Sequence, residues 1–351
     1  MARSPRLALV VSWRMTIDAP GMGRLAIVGF GRVALDAHVP ALLACGVTPS
    51  VIVEPGTAQR AAAQAQLPRA AVFGRLEDAL DALDVAIVAA PPHLHEVLCR
   101  TLLEANKPVL VEKPLAQSLA AAERLLRACD ASAASLHVAY QRRQLAVNQW
   151  VTELIASGEL GSVTSIDVED GGVDAWETTT SSRLISSESG GGVLRDVGVH
   201  VLDILTSWVG ELQALTYVDD ARGGVEAEAE FTLQNRDGVN VTGRLSRLRG
   251  LRNTAILRFA RGQELEVGLH ANTLISTPAL PRRHRPRLYE QQFEDLFSRQ
   301  FREWRRALAG APSTVPGVGM AVATERLVDA CYGMRAQLRA PWEQLDGAAW
   351  R

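Results

Sequence analysis

The sequence predicts an α/β protein: a doubly wound, Rossmann-type parallel sheet in the first half, then a second α/β unit with a large, mostly antiparallel sheet. Three observations predict it. Short unbroken apolar runs at Leu25–Val28, Val51–Val53, 85–90 and 109–111 alternate with longer stretches rich in Ala, Leu, Gln and Arg. Continuous apolarity marks strands buried on both faces, and strand–helix alternation marks parallel pairing. The first run leads directly into Gly29-Phe30-Gly31-Arg32-Val33-Ala34. After Trp150 the apolar runs carry interspersed polar residues, the pattern of strands with one face in water or against a partner.

Taken in order, residues 1–23 are set aside as an N-terminal extension. Arg3 and Arg6 precede an apolar stretch over 7–13, but Arg14 interrupts it and no small-residue cleavage site follows. A cytoplasmic extension, an overlong start with Met15 or Met22 as initiator, and a packed arm remain open. Residues 24–145 form the dinucleotide-binding unit, whose sixth strand is expected at 136–140. Residues 146–351 form the substrate-binding and oligomerisation unit. It opens on a helix over 151–156 that ends at Ser157-Gly158. Strands are expected at 163–169, 213–218, 226–233, 240–248, 255–259 and 264–269, with turns such as Arg236-Asp237-Gly238 and Arg261-Gly262 between them. Helices return over 289–309 and 320–338.

Composition narrows the function classes. The 351 residues carry a formal net charge of −2, so no global field recruits nucleic acid. No apolar run approaches the ~18 residues of a membrane span. Cys45, Cys99, Cys129 and Cys331 have no pairing or C-x-x-C spacing, which fits the cytoplasm and argues against a cysteine zinc site. His, Asp and Glu show no metal spacing either, and no metal is expected. Only Lys107 and Lys113 are lysines, against 35 arginines. In a chain that uses Arg as its generic cation, a remaining lysine points to chemistry a guanidinium cannot perform.

The glycine loop has a direct physical reading. The first Gly permits a tight turn, the second lets backbone approach a pyrophosphate, and the small third residue packs helix on strand. The helix N-terminus then presents N–H groups and a positive dipole end to an anion. Glu54 ends the second strand 20 residues after Ala34. A carboxylate there accepts from ribose hydroxyls and repels a 2′-phosphate, so NAD is expected. Arg60 could compensate such a phosphate, and NADP is not excluded.

Three further motifs carry a resemblance: Val111-Glu112-Lys113-Pro114 after the fifth strand, Pro91-Pro92-His93-Leu94-His95 after the fourth, and Gly190-Gly191-Gly192 followed by Asp196, Gly198 and His200. With the glycine loop, in this order, they resemble the glucose–fructose oxidoreductase / inositol dehydrogenase / rhizopine-catabolism (Gfo/Idh/MocA) family. The resemblance covers about Leu25 to His200. It implies a Rossmann domain, a second domain whose open sheet face commonly forms the subunit interface, a nicotinamide cofactor, and oxidation of a secondary alcohol on a sugar, cyclitol or related polyol. It implies Lys113 and His200 as the catalytic pair, with Asp196 as a catalytic or substrate contact. Gly29, Phe30, Gly31, Arg32, Val33 and Glu54 would then hold the cofactor, with Ala90, Pro91, Glu112 and Lys113 on the nicotinamide side; His95, at the sheet's carboxyl edge, either touches the cofactor or is structural. Two departures stand out: Ala90 replaces a usual Thr, and Gln144-Leu145 replace an aromatic residue and proline.

The residues themselves support this chemistry. Removing a hydride from a carbinol requires that the hydroxyl proton leave too, to a group titrating near the working pH. Neutral His suits that task, and an ammonium can polarise the carbonyl that forms. Asp196 and His200, four apart, project on one helix face. The glycine run would keep side chains out of the space shared by substrate and nicotinamide. The bland alternative is a helix-capping Asp196 and a packed core His200. Arg143, Trp176 and the loop through Arg183 are candidate substrate contacts, beside Asp196 and His200.

His38 is expected to pack or cap. The basic run Arg282, Arg283, Arg285 and Arg287 reads as a solvated loop or interface, or as a site for an anionic group on the substrate. Two other functions use the same residues: non-redox chemistry with retained NAD (elimination, epimerisation or glycoside cleavage), and a cofactor-binding regulatory protein. A homodimer or homotetramer is expected, on the reading that Val239, Val241, Ile256 and Val267 give the second sheet an outer face too apolar for water.

Overall fold

A computed structural model of the chain describes residues 22–173, 184–276 and 293–338. Most of the N-terminal extension, Trp176 with the loop through Arg183, and the basic run from Arg282 to Arg287 lie outside the described residues.

The first sheet contains β1 (Leu25–Val28), β2 (Val51–Val53), β3 (Ala71–Phe73), β4 (Val85–Val88), β5 (Val109–Glu112) and β6 (Leu136–Ala139). All pairings are parallel, in the order β3-β2-β1-β4-β5-β6. Every residue of β1, β2, β4 and β5 is buried, which accounts for their unbroken apolarity. β3 is an edge strand with none of its three residues fully buried, and the apolar run Ala70-Ala71-Val72-Phe73 that marks it is not among the four expected strands. Helices α1 (Val39–Ala44), α2 (Thr57–Gln66), α3 (Pro92–Glu104) and α4 (Leu119–Asp130) make the crossovers. Strand order reverses between β1 and β4, and the carboxyl ends that diverge there open the ligand crevice of such sheets.

The second sheet has eight strands in the order β13-β12-β11-β7-β10-β9-β8-β14. The chain reaches it through α5 (Ala146–Ser157), closed by Gly158 at φ +65°. Then come β7 (Val163–Gly171), α6 (Ser186–Ser189), α7 (Val199–Val209), β8 (Leu212–Asp219), β9 (Glu228–Asn235), β10 (Asn240–Ser246), β11 (Thr254–Phe259), β12 (Glu264–Gly268) and β13 (Leu274–Ser276). Helices α8 (Phe293–Leu308) and α9 (Val318–Gly333) and the short β14 (Ala336–Gln337) complete the described chain. The sheet is mixed: β7 with β10, and β8 with β14, pair in parallel, and the other pairs are antiparallel. The helix expected to run to 338 stops at Gly333, because the chain turns there to extend the sheet beside β8.

The two faces of this sheet correct one expectation. Val239, Val241 and Val267 are buried within the single chain, in one cluster with Leu202 of α7 and Val328 of α9. Only Ile256 of the four stays partly open. The opposite face is polar: Arg244 pairs with Glu230 at 2.9 Å, and Arg258 bridges Asp167 and Glu264. A second apolar face was inferred because alternation alone does not reveal which set of residues lies under the helices.

The last helices return to the first sheet. Phe301 and Trp304 of α8 join a core cluster with Leu25, Ile27, Phe30 and Val39. The Val138 amide donates to the Pro316 carbonyl at 3.0 Å, and α9 packs on α4.

Candidate active site

The dinucleotide end of the cleft is built by backbone. After β1 the chain turns at Gly29, at φ +91°, a left-handed conformation suited to glycine. A Cβ there would lie 2.8 Å from the Ala90 nitrogen, so the turns after β1 and β4 touch. Arg32 opens a helix that passes through a π-turn at Ala34–His38 before α1. Glu54 Oε2 accepts the Phe30 amide at 2.7 Å and Oε1 accepts the Gly56 amide at 2.7 Å. Its carboxylate thereby braces the glycine loop. Arg60 donates to the Glu54 carbonyl at 3.1 Å and to the Pro55 carbonyl at 2.5 Å. Phe30 itself is a core side chain.

These residues frame a cavity of about 670 Å³. Gly29, Gly31, Arg32, Val33 and Glu54 line one side, and Ala90, Pro91 and His93 line the other. Glu188, on α6, reaches its rim from the second half of the chain. The glycine floor, the helix start and the carboxylate at the second strand end fit a dinucleotide. His93 therefore faces the cavity, whereas His95 is fully buried. Its two ring nitrogens lie 2.8 Å from the Ala90 and Pro114 carbonyls. His95 thus ties the cavity wall to the segment that carries Lys113.

The second cluster, the candidate catalytic end, is built by side chains from distant parts of the chain. Glu112 ends β5 and accepts from the Lys113 amide at 3.2 Å, while its other oxygen meets His38 Nε2 at 2.9 Å. His38 packs, as expected, edge-on against Phe297, and the π-turn that carries it also gives Glu112 a partner. Lys113 Nζ donates to Asp196 Oδ1 at 2.6 Å and to the Asp196 carbonyl at 3.0 Å. Asp196 Oδ2 accepts from Arg247, at the end of β10. The carboxylate is thus clamped between two cations. Burial works to push its pKa up, but the charges and hydrogen bonds of Lys113 and Arg247 outweigh burial and hold it well below the usual carboxylate range.

His200, in the first turn of α7, is buried beside this clamp, its ring edge-on to Tyr140 at 6.1 Å. Burial above all, then the positive charges of Arg142 and Lys113, push its pKa well down, so the imidazole is neutral at neutral pH. Its Nδ1 is buried without a hydrogen-bond partner in the protein. A second clamp stands near: Asp170, buried, accepts from Arg142 and meets His270 Nε2 at 2.8 Å. Arg143, the expected substrate contact, instead forks onto Asp203 with two bonds of 2.7 Å.

The glycine run needs a different explanation from the one expected. A Cβ on Gly190 would meet the Gln117 carbonyl at 2.0 Å, one on Gly191 the Tyr332 hydroxyl at 2.0 Å, and one on Gly192 the Glu226 carbonyl at 1.9 Å. These glycines let three protein segments approach one another; they do not clear space for a ligand. Asp196 then lies in a second π-turn, Leu194–Gly198, continuous with α7. π-turns recur at functional sites; here one follows the glycine loop and the other carries Asp196. The sequence reading missed Arg247, Arg142, Asp170 and His270. Arg247 and Arg142 are two among 35 arginines, and nothing in their spacing distinguishes them.

Comparison with known proteins agrees with this fold. The Gfo/Idh/MocA description "Oxidoreductase family, NAD-binding Rossmann fold" matches residues 23–140, and the family's C-terminal domain matches residues 148–267. Together they span about two thirds of the chain. The sequence is 32% identical over 187 residues to an inositol 2-dehydrogenase from Leifsonia xyli subsp. xyli, and 30% identical over 187 residues to one from Corynebacterium glutamicum. Each match takes in 52% of this chain and 52% of the relative, so the chain spans about half the length of the curated relatives it matches. In fold it is similar to the aldose–aldose oxidoreductase from Caulobacter crescentus, with TM-score 0.76 and 22% identity over 88% of this chain and 96% of that one.

Proposed function

Since the chain belongs to the Gfo/Idh/MocA oxidoreductase family, we propose that it transfers a hydride between a nicotinamide dinucleotide and a secondary alcohol or ketone of a sugar, cyclitol or related polyol. The observation that carries this reading is the cluster of Lys113, Asp196 and a buried neutral His200, its lysine adjacent to the Pro114 that His95 ties to Ala90 in the wall of the dinucleotide cavity. The bound nicotinamide supplies the hydride acceptor in oxidation and the donor in reduction. In the oxidative direction His200 takes the hydroxyl proton, a role its low pKa permits because it is unprotonated and ready at neutral pH. The Lys113 ammonium, fixed by Asp196, donates to the oxygen on which negative charge develops. Asp196 stays ionised and takes no proton itself. Gly29, Gly31, Arg32 and Val33 would hold the pyrophosphate region, and Glu54 would meet the adenosine ribose. Glu54 also favours NAD over NADP, since its charge would face a 2′-phosphate.

Two finer readings accompany this one. Four unpaired cysteines support residence in the cytoplasm. The family resemblance supports a homodimer or dimer of dimers joined through the open, polar face of the second sheet. Light scattering tests that assembly, and a single species of 37.9 kDa would reject it. The enzymatic reading is tested by following NADH formation with myo-inositol, D-xylose and a wider polyol panel. Tight NAD binding with no net NADH change on any of them would overturn it.

A further inference from the structure

Arg247 has no role in the function described so far, yet its position is costly. Its side chain is only 8% exposed, and among the described residues its one charged partner is a carboxylate that already carries Lys113. Burying a cation costs several kcal/mol after relaxation, so stability alone is a weak reason to keep one. Its backbone is held independently: the Arg247 amide donates to the Ala227 carbonyl at 2.8 Å, at the end of β10. The guanidinium is therefore delivered by the sheet, and Lys113 by the end of β5 in the other half of the chain. Asp196 joins them, one oxygen to each.

A carboxylate bound through one oxygen can rotate about its last torsion, which is broad and shallow. A carboxylate bound through both is fixed. Lys113 depends on this, because its four-carbon stem is flexible and its ammonium is a point charge with no preferred direction of its own. A planar guanidinium suits the distal oxygen because its donors lie in a rigid fork.

We propose that Arg247 is a positioning residue for the hydride-transfer reaction: by holding Asp196 Oδ2 it fixes the carboxylate that places the Lys113 ammonium at the reacting oxygen. The proposal rests on the redox reading above, but one of its tests does not. The chain has only two lysines, so reductive methylation with ¹³C-formaldehyde labels Lys107, Lys113 and the terminal amine, giving two side-chain NMR signals that Lys107→Arg assigns. Lys107 is a built-in control, since its Nζ donates to the Leu83 carbonyl at 2.8 Å, far from Arg247 in the fold.

In the wild type the Lys113 signal should stand apart from that of free dimethyl-lysine. Arg247→Gln should return it more than halfway to the free position and leave Lys107 unmoved. Arg247→Lys, which keeps charge but not the fork, should move it less. In turnover, Arg247→Gln should lower kcat about 10- to 100-fold, as misplacement of a reacting group by an ångström does, with KM and the NAD Kd changed less than about threefold.

An unmoved Lys113 signal in Arg247→Gln overturns the proposal. So does a loss confined to thermal stability and NAD affinity with kcat intact, which is what a structural role alone would give. If Arg247→Gln does not fold, Arg247→Lys decides by the same two readings. If the wild type oxidises no polyol, the redox reading fails while the lysine signal still judges Arg247.

Discussion

The two ends of the cleft are built on opposite principles. The dinucleotide end comes from contiguous chain: a glycine turn, the helix start after it, and one carboxylate bonded to two backbone amides. The catalytic end is assembled from Lys113, Asp196, His200 and Arg247, side chains brought together by both sheets. The first tolerates side-chain change because main chain does most of the holding. The second depends on a few charges whose positions are mutually determined. Binding and turnover should therefore separate under mutation.

The largest expected effect tests that separation. Lys113→Arg and His200→Asn should each lower turnover by ~10²–10³, the usual cost of a lost preorganised donor. The NAD Kd, measured by cofactor fluorescence, should change little. Near-normal turnover in both would put the chemistry on other residues. Equal loss of binding and turnover would mean the two ends are one unit.

At the other end, Glu54→Ser with Pro55→Arg should shift cofactor preference toward NADP(H) by about tenfold or more, since hydrogen bonds to charged groups contribute about 1.5–3 kcal/mol. Turnover at saturating cofactor should hold. Tighter binding of NADPH than NADH by the unmodified chain would reject the role given to Glu54.

A smaller effect sharpens the electrostatic side. His200 is held below the ordinary histidine range by burial and by the Arg142 and Lys113 charges. As pH falls through that lowered midpoint the base protonates and oxidation slows. Arg142→Gln removes one opposing cation and leaves Asp170 less neutralised, and both changes favour the protonated ring. The acid limb of kcat/KM should therefore move to higher pH. A limb that stays put would assign it to another group.

The smallest effect belongs to a clamp on the protein surface. Asp84, bonded to the Arg24 side chain and amide, is lowered to about 2. Its contribution is present above the unfolded carboxylate range, near pH 4, and is lost as pH falls toward 2. Both partners are more than a third exposed, so screening leaves well under ~1 kcal/mol. Thermal melts of Asp84→Asn should differ from wild type slightly at pH 7, and less at pH 2.5.

The same contrast explains what the sequence could reveal. The strands of the first sheet, the glycine loop, Glu54 and Lys113 were legible because each leaves a local mark: an apolar run, a spacing, a lysine among arginines. β3 was passed over although Ala70-Ala71-Val72-Phe73 is an apolar run, since a run this short does not by itself distinguish a strand from a helix segment. The polar outer face of the second sheet was misjudged because Val241 and Val267 are buried under helices from elsewhere in the chain. The glycine triplet was noticed but misread, since its neighbours Gln117, Tyr332 and Glu226 are remote in sequence. Arg247 left no mark at all. Its role depends on a carboxylate in another segment and a lysine in the other half of the chain.

One feature of the fold bears on how the protein is made. Trp304 and Phe301 cover the side of the first sheet formed by Leu25, Ile27, Phe30 and Val39. A ribosome completes the sheet at Ala139 and delivers its cover at Phe301 roughly 160 residues later, which at ~5–20 residues per second is about 8–30 s. Throughout that interval the face is covered by α1 and α2, through Leu42 and Ala63, but lacks Phe301 and Trp304. The nascent chain is thus a client for a holding chaperone until α8 emerges. Nascent chains stalled before residue 293 should be captured by such a chaperone and cut readily by protease; chains stalled well past residue 308 should be released, and equal capture of both would refute the dependence.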